Sequence, residues 1–259
     1  MKLGIADKRV LITGGSKGIG ASIAKQFLEE GAYISLISRN NDNLQKIFKS
    51  CGIEKDSNHD FYAVNLREKD ASANITRTIL TKHKFVDIVV HNVGGALGVK
   101  DPLAKVDQWI EVLNFNLGIP IEINNILIPK MLKKNWGRIV HISSISGSIG
   151  EPDLSFGGAI PYAVSKAALN SYIKGLAKVY AEKNIIISGV MPGAIKSKGK
   201  FWDKSSKSNP RMVIKFLQEN YPIKRFGSAE EIAPFVALLA SEHASFASGS
   251  IIPISGGRV

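Results

Sequence analysis

Apolar residues in this chain come in short continuous runs: RVLIT (9–13), YISLIS (33–38), FYAVN (61–65), IVVHN (88–92), RIVHIS (138–143), IIISGV (185–190) and SIIPI (250–254). Runs rich in β-branched residues and free of polar alternation predict strands buried on both faces. Longer stretches of helical spacing lie between them, at 19–30, 41–50, 68–83, 103–134, 159–182 and 229–240. Alternation of this kind predicts an α/β fold, a doubly wound parallel sheet with helices on both faces. No linker, repeat or low-complexity tract interrupts it, so one domain spanning 1–259 is expected. The exception is 194–220, rich in Lys and Ser, which fits neither pattern and is expected to be irregular. Together with its neighbours to about residue 225 it is expected to form a mobile basic lobe beside the substrate.

Composition narrows the function classes. Hydrophobic residues make up 44% of 259, enough for a sizeable core. No apolar run reaches the length of a membrane span. The N-terminal MKLGIADKRVLITGG lacks an apolar signal core. The single cysteine, Cys51, excludes an internal disulfide framework and suits a reducing compartment, so a cytoplasmic location is expected. The five His residues show no metal-ligand spacing, and no metal is expected. The formal net charge of +12 raises nucleic-acid binding. The charge is concentrated, however: 196–225 holds nine Lys or Arg against Asp203 and Glu219. No helix-turn-helix, zinc or RNA-recognition pattern accompanies it, so no specific nucleic acid is expected.

The turn after the first strand reads LITGGSKGIG. Gly14, Gly18 and Gly20 would let the backbone approach a pyrophosphate at the N-terminus of the first helix, where free N–H groups point outward. No Gly-Lys-Ser/Thr closes the turn, which excludes a P-loop. The second strand ends in Ser38 and Arg39, where an acid would bind the ribose hydroxyls of NAD. A basic residue there, with Lys17 in the glycine turn, points to NADP(H) in preference to NAD(H).

PYAVSK (161–166) sets Tyr162 and Lys166 one helical turn apart. Alone the pair is a weak signal. Taken with the glycine turn it gains weight, because HNVGG (91–95), NLG (116–118), ISSISG (142–147), MPGAIKS (191–197) and ISGG (254–257) follow in order. With them the whole chain resembles the short-chain dehydrogenase/reductase family, whose fold is Rossmann-like. His91 and Val93 depart from the family's N-N-A-G motif, and Ser255 replaces the acid of its closing D-G-G. The resemblance implies that Tyr162 exchanges a proton with the substrate oxygen and that Lys166 lowers the tyrosine's pKa toward the working pH. Ser144 would orient that oxygen and Asn116 would hold a water. Ser143 competes with Ser144, and Asn114 with Asn116. The S-x-x-G spacing to Gly147 selects Ser144, and the separation from GRI selects Asn116. The resemblance also places Thr13, Gly14, Ser16, Lys17, Gly18, Ile19 and Gly20 at the cofactor, with Ser38, Arg39, Asn65, Leu66, Asn92, Gly94, Tyr162, Lys166, Pro192, Gly193, Ile195 and Ser197. Asn65 stands where the family usually has an acid.

The expected activity is interconversion of a ketone and a secondary alcohol, with NADPH, on a small-molecule substrate. The chain is most similar to 3-oxoacyl-acyl-carrier-protein reductases, which makes a 3-oxoacyl thioester one candidate substrate, carrier- or phosphate-linked to suit the basic lobe. Asn135 replaces an arginine that often docks the carrier in those enzymes, while Lys183 keeps the charge at a second docking position. A sugar or secondary-metabolite alcohol dehydrogenase, or a catalytically silent dinucleotide-binding regulator, are the alternatives. The segment EPDLSFGGAIP (151–161) is longer than in many relatives and is expected to border the substrate. Phe201 and Trp202 could cover an apolar substrate or pack the lobe onto its own domain. The apolar stretch NFNLGIPIEINNILIPKML (114–132) predicts burial beyond its own sheet, hence a homotetramer or homodimer.

Overall fold

The computed structural model describes residues 2–53, 58–149 and 159–259. Seven parallel strands form one sheet in the order β3-β2-β1-β4-β5-β6-β7. The strands are β1 (Arg9–Thr13), β2 (Tyr33–Ser38), β3 (Asp60–Ala63), β4 (Ile88–His91), β5 (Gly137–Ile142), β6 (Ile185–Pro192) and β7 (Ile251–Ile254). Every residue of β1, β4, β5 and β6 is buried, as expected for a sheet covered on both faces.

One face packs on α1 (Ile19–Glu29), α2 (Asn41–Ser50) and α10 (Ala233–Leu239), through Ile23, Phe27, Leu44, Phe48 and Val236. The other packs on α3 (Ala71–His83), α5 (Ile119–Lys134) and α7 (Ile160–Tyr180), through Ile79, Ile123, Leu127, Leu169 and Ile173. The chain runs outward from β1 to β3 and then returns to add β4 on the other side of β1. That reversal opens a crevice at the carboxyl ends of β1 and β4, the place where ligands bind in open α/β sheets.

Two departures from the sequence pattern shape this crevice. The stretch expected as one helix at 103–134 is α4 (Val106–Leu113), a π turn (Asn114–Gly118) and α5. The stretch expected to be irregular at 194–220 contains α8 (Phe201–Ser208) and α9 (Pro210–Asn220). Val213, Phe216 and Leu217 give α9 an apolar stripe at i, i+3 and i+4, which packs with Tyr221, Met191 and Ile145. One further turn, α6 (Ser146–Ile149), follows β5. No described helix is long and apolar enough to cross a membrane.

Candidate active site

A cleft of about 470 Å³ opens at the β1/β4 crevice. Gly14, Ser16, Lys17, Gly18 and Ile19 form its floor, Ser38 and Arg39 one end, and Leu66, Asn92, Gly94, Ile195 and Ser197 its walls. The Ser16 and Ser38 hydroxyls share a hydrogen bond of 2.6 Å, which ties the glycine turn to the end of β2. The close approach of backbone to backbone needs Gly20: a Cβ there would lie 2.3 Å from the Gly14 carbonyl oxygen. Asn92 secures the turn by donating from Nδ2 to the carbonyls of Thr13 and Gly14, each at 3.1 Å.

Seven residues expected at the cofactor do not line this cleft: Thr13, Gly20, Asn65, Tyr162, Lys166, Pro192 and Gly193. Thr13 is buried, and its hydroxyl oxygen accepts from the Asn92 and Val93 amides at 3.0 and 3.1 Å, so it clamps β1 to β4 from beneath. Asn65 donates from Nδ2 to Glu68 and accepts from the Arg67 amide, within its own turn. Pro192 ends β6, and Gly193 borders a separate cavity of about 50 Å³ with Tyr221 and Ser255. In the other direction, Asn40, Asn43, Val64, Val93, Phe115, Lys198, Gly199 and Lys200 line the cleft and were not anticipated. Val64 and Phe115 carried no chemical signal. The three lysine-loop residues were hidden in a segment read as substrate lobe.

Tyr162, Lys166, Ser144 and Asn116 converge beside the cleft. Tyr162 and Lys166 stand one turn apart on α7, with the ammonium 5.7 Å from the phenol ring centroid. Lys166 is 2% exposed, and its Nζ donates to the Ile142 carbonyl at the end of β5 at 2.8 Å. Burial pushes its pKa down from 10.5 to about 7. Burial pushes the Tyr162 phenol above its ordinary 10, opposed by a hydrogen bond from Ser144. The expected lowering of the tyrosine's pKa by Lys166 is thus opposed by the burial of the phenol itself.

The competing assignments separate on geometry. Ser143 is buried and its hydroxyl donates to Asn170 Oδ1 at 2.5 Å, whereas Ser144 reaches Tyr162. Asn114 is exposed and Asn116 fully buried. The π turn carries Asn116 inward, where Nδ2 donates to the Gly95 and Val112 carbonyls at 2.9 and 2.8 Å. Its Oδ1 accepts from the Gly95 amide at 3.0 Å. Gly94 lies between the two groups: a Cβ there would stand 2.7 Å from Asn116 Oδ1 and 3.0 Å from Lys166 Nζ.

The segment 150–158, and with it most of the long loop expected at the substrate, falls outside the described residues. Trp202 stacks on Phe216 at 5.0 Å and meets Phe226 at 5.3 Å, so it packs the lobe onto itself, while Phe201 stays half exposed. Among the described residues no cluster of His, Cys, Asp or Glu converges to hold a metal ion.

A reversing parallel sheet, a glycine turn at its switch point and a Tyr/Lys/Ser/Asn set at the cleft mouth define a dinucleotide-dependent oxidoreductase. Residues 8–207 match the profile of the family described as short chain dehydrogenase. The chain belongs to that family and is an oxidoreductase acting on CH–OH or C=O groups. It is 30% identical over 253 residues to the 3-oxoacyl-acyl-carrier-protein reductase of Chlamydia trachomatis, covering 98% of each chain. It is 32% identical over 255 residues to the enzyme of that name from Rickettsia conorii, again covering 98% of each. Among solved structures it superimposes with a TM-score of 0.87 on L-sorbose reductase from Gluconobacter frateurii, complexed with NADPH and L-sorbose. The two are 30% identical, with 100% of this chain and 98% of the other covered.

Proposed function

We propose that this protein reduces a ketone to a secondary alcohol with NADPH, with Tyr162 as the proton donor. The convergence of Tyr162, Lys166, Ser144 and Asn116 at the mouth of a cleft built for a dinucleotide carries this reading. The residues suit the cofactor: the glycine turn can take the pyrophosphate, and Lys17 and Arg39 flank the end of β2, where a 2′-phosphate would sit. The nicotinamide, when bound, supplies the hydride that the carbonyl carbon accepts. Tyr162 gives its hydroxyl proton to the carbonyl oxygen, and both steps together produce the alcohol. Ser144 holds the same oxygen by hydrogen bonding. Lys166 stabilises the phenolate left behind, and Asn116 fixes the Gly95 backbone beside it.

For the substrate, the full-length similarity to 3-oxoacyl-acyl-carrier-protein reductases favours a 3-oxoacyl thioester, and the basic lobe suits an acidic carrier. Asn135 works against arginine-mediated docking: it sits in the left-handed region at φ 49° as the C-cap of α5. A ketose is the second reading, favoured by the comparable likeness to L-sorbose reductase.

Turnover of a 3-oxoacyl thioester, a ketose and simple ketones, followed at the nicotinamide absorbance, tests this reading. Tyr162→Phe is expected to lose at least about a hundredfold in kcat with NADPH still bound. Near-normal turnover in that variant would remove Tyr162 from the chemistry. Wild type is expected to prefer NADPH over NADH roughly 10- to 150-fold, from a charge-assisted phosphate contact, and Arg39→Asp to reverse the preference.

A further inference from the structure

The loop after β6 leads toward the substrate lobe, yet its first contacts are with the cofactor cleft. Ser197, Lys198, Gly199 and Lys200 line that cleft opposite the glycine turn and the end of β2. A Cβ on Gly18 would lie 3.2 Å from the Ser197 hydroxyl oxygen, so loop and turn nearly touch. The loop is held in place by its own hydrogen bonds. The Lys200 amide donates to the Ser197 carbonyl at 3.0 Å. The Gly199 amide and Lys207 Nζ donate to Asp203 Oδ2 at 2.8 and 2.9 Å.

Lys17, Arg39 and Lys200 thus face one cleft from three separate elements. None of them has a carboxylate partner among the described residues. Desolvation, then the charges of Lys17 and Arg39, hold the Lys200 ammonium below its ordinary pKa, so the three fields overlap. Gathering three like charges without a counter-ion costs free energy, and a bound dianion would repay it.

We propose that Lys200 is a specificity-determining residue for the cofactor, closing over the 2′-phosphate opposite Lys17 and Arg39 and so making NADP(H), but not NAD(H), fasten the loop that enters α8. This rests on the NADPH reading above and adds a consequence: cofactor choice sets the order of a segment that leads onto the lobe packed against Ile145, next to Ser144.

The probes are adenosine 2′,5′-bisphosphate and AMP, titrated calorimetrically against the full chain. Wild type is expected to bind the bisphosphate more tightly. Lys200→Met, which keeps much of the stem, is expected to weaken the bisphosphate roughly tenfold and leave AMP unchanged, with Lys200→Arg restoring most of the loss. Amide exchange across 198–204 is expected to slow more with the bisphosphate than with AMP in wild type, and equally in Lys200→Met. A wild type indifferent to the second phosphate overturns the NADPH reading and this one with it. A Lys200→Met protein that keeps the preference, while Arg39→Met loses it, leaves the NADPH reading standing and overturns the role of Lys200. An equal loss for both probes also overturns it, since that is the mark of a merely structural residue.

Discussion

Lys166 holds its charge in a place that penalises charge. Burial brings its pKa to about 7, and its ammonium donates a hydrogen bond to the Ile142 carbonyl. In the proposed reduction the charged form would stabilise the phenolate that Tyr162 leaves behind, so that reading needs Lys166 protonated. A depressed pKa means that the ammonium is present below about 7 and lost as the pH rises through it. Tyr162, raised above 10, keeps its proton across the same range and does not set the limb. For ketone reduction at saturating cofactor, kcat/KM is expected to be flat below about pH 6.5 and to fall through roughly 7 and above. A profile level to pH 9 would sink this role for Lys166. Lys166→Arg carries a charge that does not titrate in this range, so whatever activity it retains should lose the falling limb. The sequence alone named both residues from their spacing and motif. It could not reveal the direction of either shift, because each depends on depth of burial.

Between β4 and β5 lies a pair of titratable groups with no part in the proposed chemistry. His91 and His141 are register partners, and their rings stack at 4.6 Å. His91 Nε2 lies 2.8 Å from Asn124 Oδ1 on α5, and Asn124 Nδ2 donates to the Tyr172 hydroxyl on α7 at 3.2 Å. Burial pushes His91 down to about 4, opposed by Asn124. Burial, with the charges of His91 and Lys166, pushes His141 further below its ordinary value. Unfolded histidines take up protons near 6.5, which the folded seam refuses. Stability is therefore present above about pH 6.5 and falls as the pH drops toward 4, by about 2 kcal/mol at pH 5 for His91 alone. Denaturant titrations at pH 7 and pH 5 measure the decline, and His91→Asn should reduce it. Equal unfolding free energies at the two pH values in wild type would refute the account. The seam also shows what apolar patterning can convey. IVVH and RIVHI read as strands because isoleucine and valine dominate, and the histidines were carried inside with them. The lobe was less legible, since FWDKSSKS offers helix α8 almost no apolar face. Helix α9 was within reach, through Val213, Phe216 and Leu217. The π turn was not, because one extra residue per turn breaks the helical period that a sequence pattern follows.

At the scale of the whole molecule, the unfinished surface is on α4. Leu103, Val106 and Ile110 are 90%, 71% and 47% exposed, spaced about one turn apart along α4 and its approach. The sequence pointed instead to 114–132 as apolar on more than one face. On α5 itself Ile119, Ile123 and Ile128 pack in the core, while half-buried Ile121 and Ile126 share the outer side with exposed Glu122, Asn125 and Lys130. The neighbouring α7 adds exposed Val164 and Val179. A run of exposed apolar side chains along one helix suits a second copy of the chain across a twofold axis, where the same patch meets itself. Light scattering at micromolar concentration is expected to give the mass of a dimer or tetramer. The double variant Val106→Glu/Ile110→Glu should shift it toward the monomer with an unchanged far-ultraviolet circular dichroism spectrum. A wild-type monomer would overturn the assembly. The consequence reaches the site, because α4 runs directly into the π turn that carries Asn116 inward. A variant that only dissociates should therefore also lose activity on dilution, in step with its mass. Full activity as a monomer would show that the fold of one chain holds Asn116 unaided.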